Sequence, residues 1–169
     1  MRLIDVRLHG HRNVPHIRPA LLDDAAEVAR LTNELGYEAS ENAILLRLSA
    51  LAQWPSYFVA VAETSPAILA GWISAERRLI LQYGERVEIS ALVVDSTRRR
   101  SGIGRSLIGA VEQWATECGI ASILVRSRID RSESHAFYLS AGYARSKSQH
   151  VYMKSLPRDT RESAADREK

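Results

Sequence analysis

The residues that most constrain this chain lie within 87–106 and read as a strand, a loop rich in arginine and glycine, and the start of a helix. Residues 88–94 are mostly apolar and partly β-branched, which is typical of a strand buried on both faces. Turn-forming residues at 95–97 end this strand. Because the first amides of a helix are unpaired and its dipole favours negative charge, the arrangement predicts an anion-binding site. The helix is predicted from apolar residues at helical spacing: Ile103, Leu107, Val111, Ala115 and Cys118.

The loop supplies two features that suit a phosphate. Gly102 and Gly104 lack a Cβ, so a phosphate can approach the backbone closely and φ can be positive. The arginines at 98–100 and 105 add forked donors that match phosphate oxygens. From this stretch alone, a solvated basic turn with glycines for tight packing remains an alternative. The loop fits neither the G-x-x-x-x-G-K-[ST] phosphate loop nor the dinucleotide fingerprint.

Length and composition indicate one globular domain. With 169 residues, 46% hydrophobic and 25% charged, the chain can bury a sizeable core. A single cysteine, Cys118, rules out an internal disulfide and suits a reducing compartment. The sequence has no apolar run long enough to span a membrane and no signal-peptide layout, so we expect a cytoplasmic protein without a membrane partner. A net charge of +3 and one isolated arginine run also argue against a nucleic-acid partner.

The remaining segments alternate between strand and helix patterns, which predicts a mixed α/β layer structure. Residues 1–15 are predicted to be a flexible arm, whose His9 and His11 have no accompanying cluster of metal ligands. Residues 16–156 are predicted to form the folded domain, and the charged residues 157–169 a disordered tail. Strands are predicted at 17–20, 57–63, 68–76, 121–126 and 143–154, and helices at 21–35, 40–53 and 132–141.

Three motifs in this order are similar to those of a known family. The segment Arg99-Arg100-Ser101-Gly102-Ile103-Gly104 matches the pattern [QR]-x-x-G-x-[GA]. Ser134-His135-Ala136-Phe137-Tyr138, followed by Ala141-Gly142-Tyr143, is similar to an A-H-x-F-Y…x-G-[FY] segment, and Leu35-Gly36-Tyr37 follows the first helix. Over residues 17–156 the chain resembles the GNAT superfamily of acetyl-CoA-dependent N-acetyltransferases. The resemblance implies a single-domain fold with a central, mostly antiparallel mixed sheet, one splayed strand pair and helices on both faces.

The resemblance also implies where acetyl-CoA, the cosubstrate, would bind. Arg99 would occupy the first position of the pyrophosphate signature. Two departures from the family pattern, Arg131 in place of an asparagine and Ser134 in place of an alanine, affect local contacts to CoA. The pantetheine arm would complete the edge of the splayed strand like an added strand. Its partners would be the backbone groups of Leu92, Val93 and Val94, and the pyrophosphate would be held by the amides of Arg100, Ser101, Gly102, Ile103, Gly104 and Arg105.

Two side chains are candidates for proton transfer. A primary amine is charged at neutral pH, and its free base costs about 4–5 kcal/mol to form. Glu88 is the candidate base, because a carboxylate in an apolar central strand is costly unless it is used or paired. The alternative for Glu88 is a structural charge paired with Arg86 or Arg126. Tyr138 would protonate the leaving thiolate, its alternative being an aromatic ring in the core.

The acceptor is a small-molecule amine in this interpretation. The predicted strand opens with one acid and no acidic patch surrounds it, so a polycationic acceptor lacks an electrostatic partner. We therefore expect a small amine or an amino-acid-like acceptor. An acetyltransferase acting on a protein amine and a non-catalytic CoA-binding sensor module remain alternatives. Dimers are common in the family that the chain resembles, and the sequence leaves the oligomeric state open. We predict no resident metal.

Overall fold

The computed structural model describes residues 15–156, so the predicted tail and all but the last residue of the predicted arm lie outside the described residues. The chain divides into two compact units, Met1–Ser127 and Arg128–Lys169. Among residues 15–156, none of the helices has both the length and the apolar character that crossing a membrane requires.

The first unit contains a five-stranded mixed sheet. The strand order follows the chain, and the first three pairings are antiparallel while the last is parallel. This is the predicted mixed, mostly antiparallel sheet. Its strands are β1 (His16–Pro19), β2 (Tyr57–Ser65), β3 (Ile68–Ile80), β4 (Gly84–Val94) and β5 (Ile123–Val125).

Three helices accompany the sheet within this unit. They are α1 (Ala25–Glu34), α2 (Glu41–Leu51) and α3 (Ile103–Glu117), and all three were predicted. The Ser40 hydroxyl caps α2 by accepting from the amide of Ala43 at 3.2 Å, since the first amides of a helix lack partners inside it. The tight turn after α1 places Gly36 at a φ of 94°, a conformation that glycine adopts without strain.

The two faces of the sheet are covered by different helices. On one face, Val61 and Val93 belong to the same buried cluster as Leu31 of α1 and Leu48 of α2. On the other face, α3 packs so closely on β3 that a Cβ at Gly71 would lie 3.2 Å from the Leu107 side chain. Helices therefore lie on both faces, as predicted.

Gly71→Ala should destabilise the protein strongly. An added Cβ would lie 2.5 Å from the carbonyl oxygen of Val93, a backbone atom that cannot move without distorting β4. Overpacking of this kind costs about 1–3 kcal/mol. Thermal unfolding followed by circular dichroism would measure the loss.

Gly109→Ala is the matched control on α3. The added methyl group meets nothing within 4 Å there, and alanine is a better helix former than glycine by about 0.8–1.0 kcal/mol. We expect this variant to be at least as stable as the wild type. Equal stability of the Gly71→Ala and Gly109→Ala variants would contradict the close packing of α3 on β3.

The second unit contains the predicted fourth helix, α4 (Ser132–Ser140), which ends before Gly142 at a φ of 92°. The prediction of a closing strand at 143–154 is wrong, since residues 143–156 form no strand in the structure. A strand requires a hydrogen-bonded neighbour, which the local sequence of these residues does not specify. The apolar residues near the end of this segment are exposed, including Val151, Tyr152 and Met153 at 88–94%.

Candidate active site

The most distinctive feature of the sheet is the short pairing between β4 and β5. Only Val87–Ile89 of β4 pairs with Ile123–Val125 of β5. β4 then continues to Val94, paired with β3 through residues 91–94. A register irregularity next to Ser90 marks the point of separation. The edge of β4 at residues 92–94 therefore extends beyond the paired part of β5, and these are the residues predicted to accept a pantetheine arm.

The loop that follows β4 turns sharply into α3. Arg100 and Gly102 both have positive φ, at 61° and 90°. The carbonyl oxygen of Gly102 accepts the amide of Ser106 at 3.0 Å, which begins the helix. Ile103 is buried as the first residue of α3, while Arg99, Ser101 and Arg105 are exposed. The backbone of this loop is thus held at a helix N-terminus with arginine side chains around it, a geometry that suits an anion.

A polar network anchors the start of this loop to α1. The guanidinium of Arg30 donates to the Asp95 carboxylate at 3.1 Å and to the Leu69 carbonyl oxygen at 3.0 Å. The Glu34 carboxylate accepts the amide of Ser96 at 3.1 Å. Hydrogen bonds from Thr97, and then from Arg30, hold the pKa of Asp95 below its usual value. The sequence did not predict this anchor, because its partners lie between 39 and 65 residues apart.

The side chain of Arg98 contacts the hairpin formed by β2 and β3. Its guanidinium donates to the Thr64 hydroxyl at 2.8 Å, at the turn between β2 and β3. Of the four arginines considered from the sequence, this one therefore supports the hairpin and the other three surround the loop.

The Glu88 carboxylate is buried on β4 and bound by two guanidinium groups. Its residue exposure is 8%, and it accepts from Arg78 at 2.9 Å and from Arg126. The contact with Arg126 is one of the two that the sequence suggested if Glu88 is a structural charge. The contact with Arg78 was not predicted. Glu88 lies two residues before the separation of β4 from β5, and Arg126 directly follows β5.

Glu88 belongs to a polar row that crosses three strands. In register, Tyr57 of β2 faces Glu76 of β3, and Glu76 faces Glu88 of β4. Burial, followed by the charge of Glu76, raises the pKa of Tyr57. Side chains at every second position share a face, so this row continues the face on which α1 and α2 pack. We name this surface the charged face and define it by Tyr57, Glu76, Arg78, Arg86, Glu88 and Arg126.

Tyr138 and Ser134 lie on α4 in the second unit. The ring of Tyr138 packs edge-on against Phe137 and Tyr143, with ring centroids 5.3 and 5.7 Å away. Burial raises the pKa of Tyr138, which keeps the phenol protonated at neutral pH. A protonated phenol is the form that a general acid requires.

The sequence places the chain in a known family. The profile of the Acetyltransferase (GNAT) family matches residues 22–143. An uncharacterised N-acetyltransferase of Bacillus subtilis, YhdJ, is 29% identical over 116 residues, which cover 69% of this chain and 81% of the relative. An aminoglycoside N(6')-acetyltransferase of Stenotrophomonas maltophilia is 28% identical over 137 residues, covering 78% of this chain and 87% of the relative.

The fold also matches solved structures. An aminoglycoside N-acetyltransferase, AAC(6')-Iy, solved in complex with CoA, superposes with a TM-score of 0.74. The match covers 83% of this chain and 95% of that one at 19% identity, so it shows a common fold. The family match defines the class of the protein as an acetyltransferase. The chain belongs to the GNAT family; it is an N-acetyltransferase, and its acyl donor is acetyl-CoA.

Proposed function

We propose that this protein transfers the acetyl group of acetyl-CoA to the amine of a small molecule by direct attack of the amine on the thioester. The observation that carries the proposal is the course of β4. This strand runs beyond its pairing with β5 and leads directly into the glycine loop that opens α3. One continuous segment therefore offers both an open strand edge and a helix N-terminus to an elongated donor that bears phosphates.

In this proposal, the donor is held mainly by backbone groups. The amides from Arg100 to Arg105 bind the pyrophosphate beside the side chain of Arg99, and the edge of β4 at residues 92–94 binds the pantetheine arm. The positive φ values of Arg100 and Gly102 support this assignment, because they turn the backbone of the loop sharply at the start of α3. The Val94 amide is the proposed donor to the oxyanion of the tetrahedral intermediate. Ser134 is proposed to contact CoA from α4.

Glu88 is the proposed proton acceptor. Its carboxylate accepts from two guanidinium groups, which hold it on β4 just before β4 separates from β5. A carboxylate offers about four acceptor positions, so two guanidinium donors leave room for a water molecule or an ammonium. The acceptor amine then attacks the thioester carbonyl as its free base, and its proton passes to Glu88 directly or through water.

Tyr138 is the proposed general acid. As the tetrahedral intermediate collapses, the C–S bond breaks and the thiolate of CoA leaves. The phenol of Tyr138 gives its proton to that sulfur, since a phenol is protonated at neutral pH and can donate to a thiolate. The products are the N-acetylated amine and CoA.

One observation favours the non-catalytic alternative. A carboxylate bound by two arginines also serves as a structural ion pair, and a CoA-binding sensor module requires no base. The two functions differ in whether CoA is released as a free thiol.

Thiol release across a broad panel of amines tests the proposed function. Acetyl-CoA is incubated with the protein and single amines, including amino acids, amino sugars, polyamines, aminoglycosides and a peptide with a free N-terminus. A thiol-reactive dye then measures CoA. We expect release at least tenfold above the rate without protein for one or more small amines. Acetyl-CoA binding without thiol release from any amine would contradict the proposal and support the sensor module.

A further inference from the structure

The charged face carries more guanidinium groups than carboxylates. Arg78, Arg86 and Arg126 lie on it together with only two acids, Glu76 and Glu88. Both carboxylates are already engaged by arginine, Glu88 by two guanidinium groups and Glu76 by Arg78 at 3.8 Å. These residues therefore leave a surplus of one positive charge.

The surroundings of Arg86 do not compensate the surplus positive charge of the charged face. In register, Arg86 of β4 lies directly opposite Arg78 of β3, an arrangement in which like charges repel. The Nε atom of Arg86 is buried and has no hydrogen-bond partner among the described residues. The guanidinium instead lies 5.4 Å from the centre of the Tyr83 ring. An anion at this face would relieve both the repulsion and the charge imbalance.

Arg126 is the guanidinium that a ligand reaches most readily. Its side chain is 53% exposed, compared with 40% for Arg78 and 10% for the Glu88 carboxylate beneath them. The hydrogen bond to Glu88 uses one of the five N–H donors of Arg126. The side chain also directly follows β5, at the point where β4 and β5 separate.

The phosphates of the acyl donor do not account for this cluster. Glu88 and Val94 are six residues apart on one strand, which corresponds to about 20 Å at ~3.3 Å per residue. The glycine loop begins only after Val94. The cluster thus lies at the opposite end of the β4 edge from the proposed pyrophosphate site, where the acetyl acceptor would enter.

We infer that the acceptor amine bears an anionic group, a carboxylate or a phosphate, and that the guanidinium of Arg126 binds this group while the amine lies near Glu88. The inference rests on the proposed function, because it names the acceptor class of the same site. It distinguishes this protein from its aminoglycoside-acetylating relative, since aminoglycosides are polycations that a surplus of arginine repels.

Matched pairs of amines test the inference. Each standard amino acid is compared with its carboxamide, and glucosamine-6-phosphate with glucosamine, so that one member of each pair lacks the anionic group. The carboxamide amine is also less basic and more of it is free base, which by itself favours the neutral member. We expect kcat/KM to be at least ~10-fold higher for the anionic member of the preferred pair, as a hydrogen bond to a charged group provides. The amino-acid and sugar arms distinguish a carboxylate from a phosphate. A preference for the neutral member, or for spermidine or kanamycin over every anionic amine, would overturn the inference while leaving acetyl transfer intact.

Arg126→Ala and Arg77→Ala form the matched variant and control. Arg126→Ala should raise KM ~10-fold more for the anionic amine than for its neutral partner, a difference that any effect on Glu88 does not produce, and Arg126→Lys should recover part of the loss. Arg77 lies on the opposite face of β3 and pairs with Glu85, so its removal subtracts the same charge and should leave the preference unchanged. Equal losses in the two alanine variants, or an unchanged KM in Arg126→Ala, would overturn the assignment of Arg126.

Two further measurements distinguish loss of the fold, failure of this inference and failure of the proposed function. Thermal unfolding shows whether Arg126→Ala remains folded, and calorimetric titration of the anionic amine into the CoA-bound protein measures Arg126 without catalysis. Tight binding that requires Arg126 supports the inference. Absence of thiol release with every amine, together with absence of binding, would overturn both the inference and the proposed function.

Discussion

Acetyl-CoA binding should fall at least ~100-fold when Gly102 or Gly104 is replaced by aspartate. A new carboxylate at the start of α3 would lie close to the proposed position of the pyrophosphate. Two like charges 4 Å apart near a protein surface repel by about 4 kcal/mol, which exceeds the ~2.8 kcal/mol of a hundredfold loss. Isothermal titration calorimetry with acetyl-CoA measures the effect directly.

Gly102→Asn separates charge from shape in this test. Gly102 has a φ of 90°, in the left-handed region. Apart from glycine, asparagine and aspartate are the residues that enter this region most readily, so the two variants are comparable in backbone strain. Asparagine adds the same bulk without the charge, so it should lose far less affinity than aspartate. Gly109→Asp places the same charge further along α3 and should bind acetyl-CoA like the wild type. If both aspartate variants at 102 and 104 also bind like the wild type, the pyrophosphate assignment is wrong.

Replacement of Tyr138 by phenylalanine should lower kcat at least tenfold with little change in acetyl-CoA affinity. The change removes the phenolic proton and keeps the ring that packs against Phe137 and Tyr143. A tenfold loss corresponds to about 1.4 kcal/mol in the barrier, which is small for the removal of a general acid. Steady-state kinetics with the amine that gives the fastest thiol release would measure kcat.

Tyr152→Phe is the control for this variant. Tyr152 also lies in the second unit, and its side chain is 90% exposed, so loss of its hydroxyl should leave kcat and stability unchanged. An unchanged kcat in Tyr138→Phe would remove Tyr138 from the mechanism and leave it as a packing residue.

The sequence predicted the parts of the fold that depend on local pattern. The first three helices and the β2–β3 hairpin follow from apolar spacing, capping residues and turn residues, and the glycine loop follows from its motif. β3 and β4 both extend further than predicted. Several of the added residues are charged, and Arg77 pairs with Glu85 across the two strands. An apolar pattern does not detect such pairs.

Only the part of the site that lies within a sequence motif could be predicted. The residues 99–105 were found because their spacing is characteristic, and their roles remain predictions. The double ion pair of Glu88 could be predicted only in part. Arg126 was one of the two partners that the sequence suggested, whereas the contact with Arg78, ten residues away, was not predicted. The prediction of a strand at residues 143–154 also depended on non-local pairing, and these residues form no strand in the structure. Ion pairs and strand pairs between residues that are far apart in the sequence could therefore be identified only from the structure.

A crystal structure of the protein with acetyl-CoA tests the central claim most directly. We expect the pyrophosphate oxygens within hydrogen-bond distance of the amides between Arg100 and Arg105, and the pantetheine arm beside the edge of β4 at residues 92–94. Acetyl-CoA bound elsewhere on the protein, or β4 and β5 hydrogen-bonded to each other as far as Val94, would contradict it.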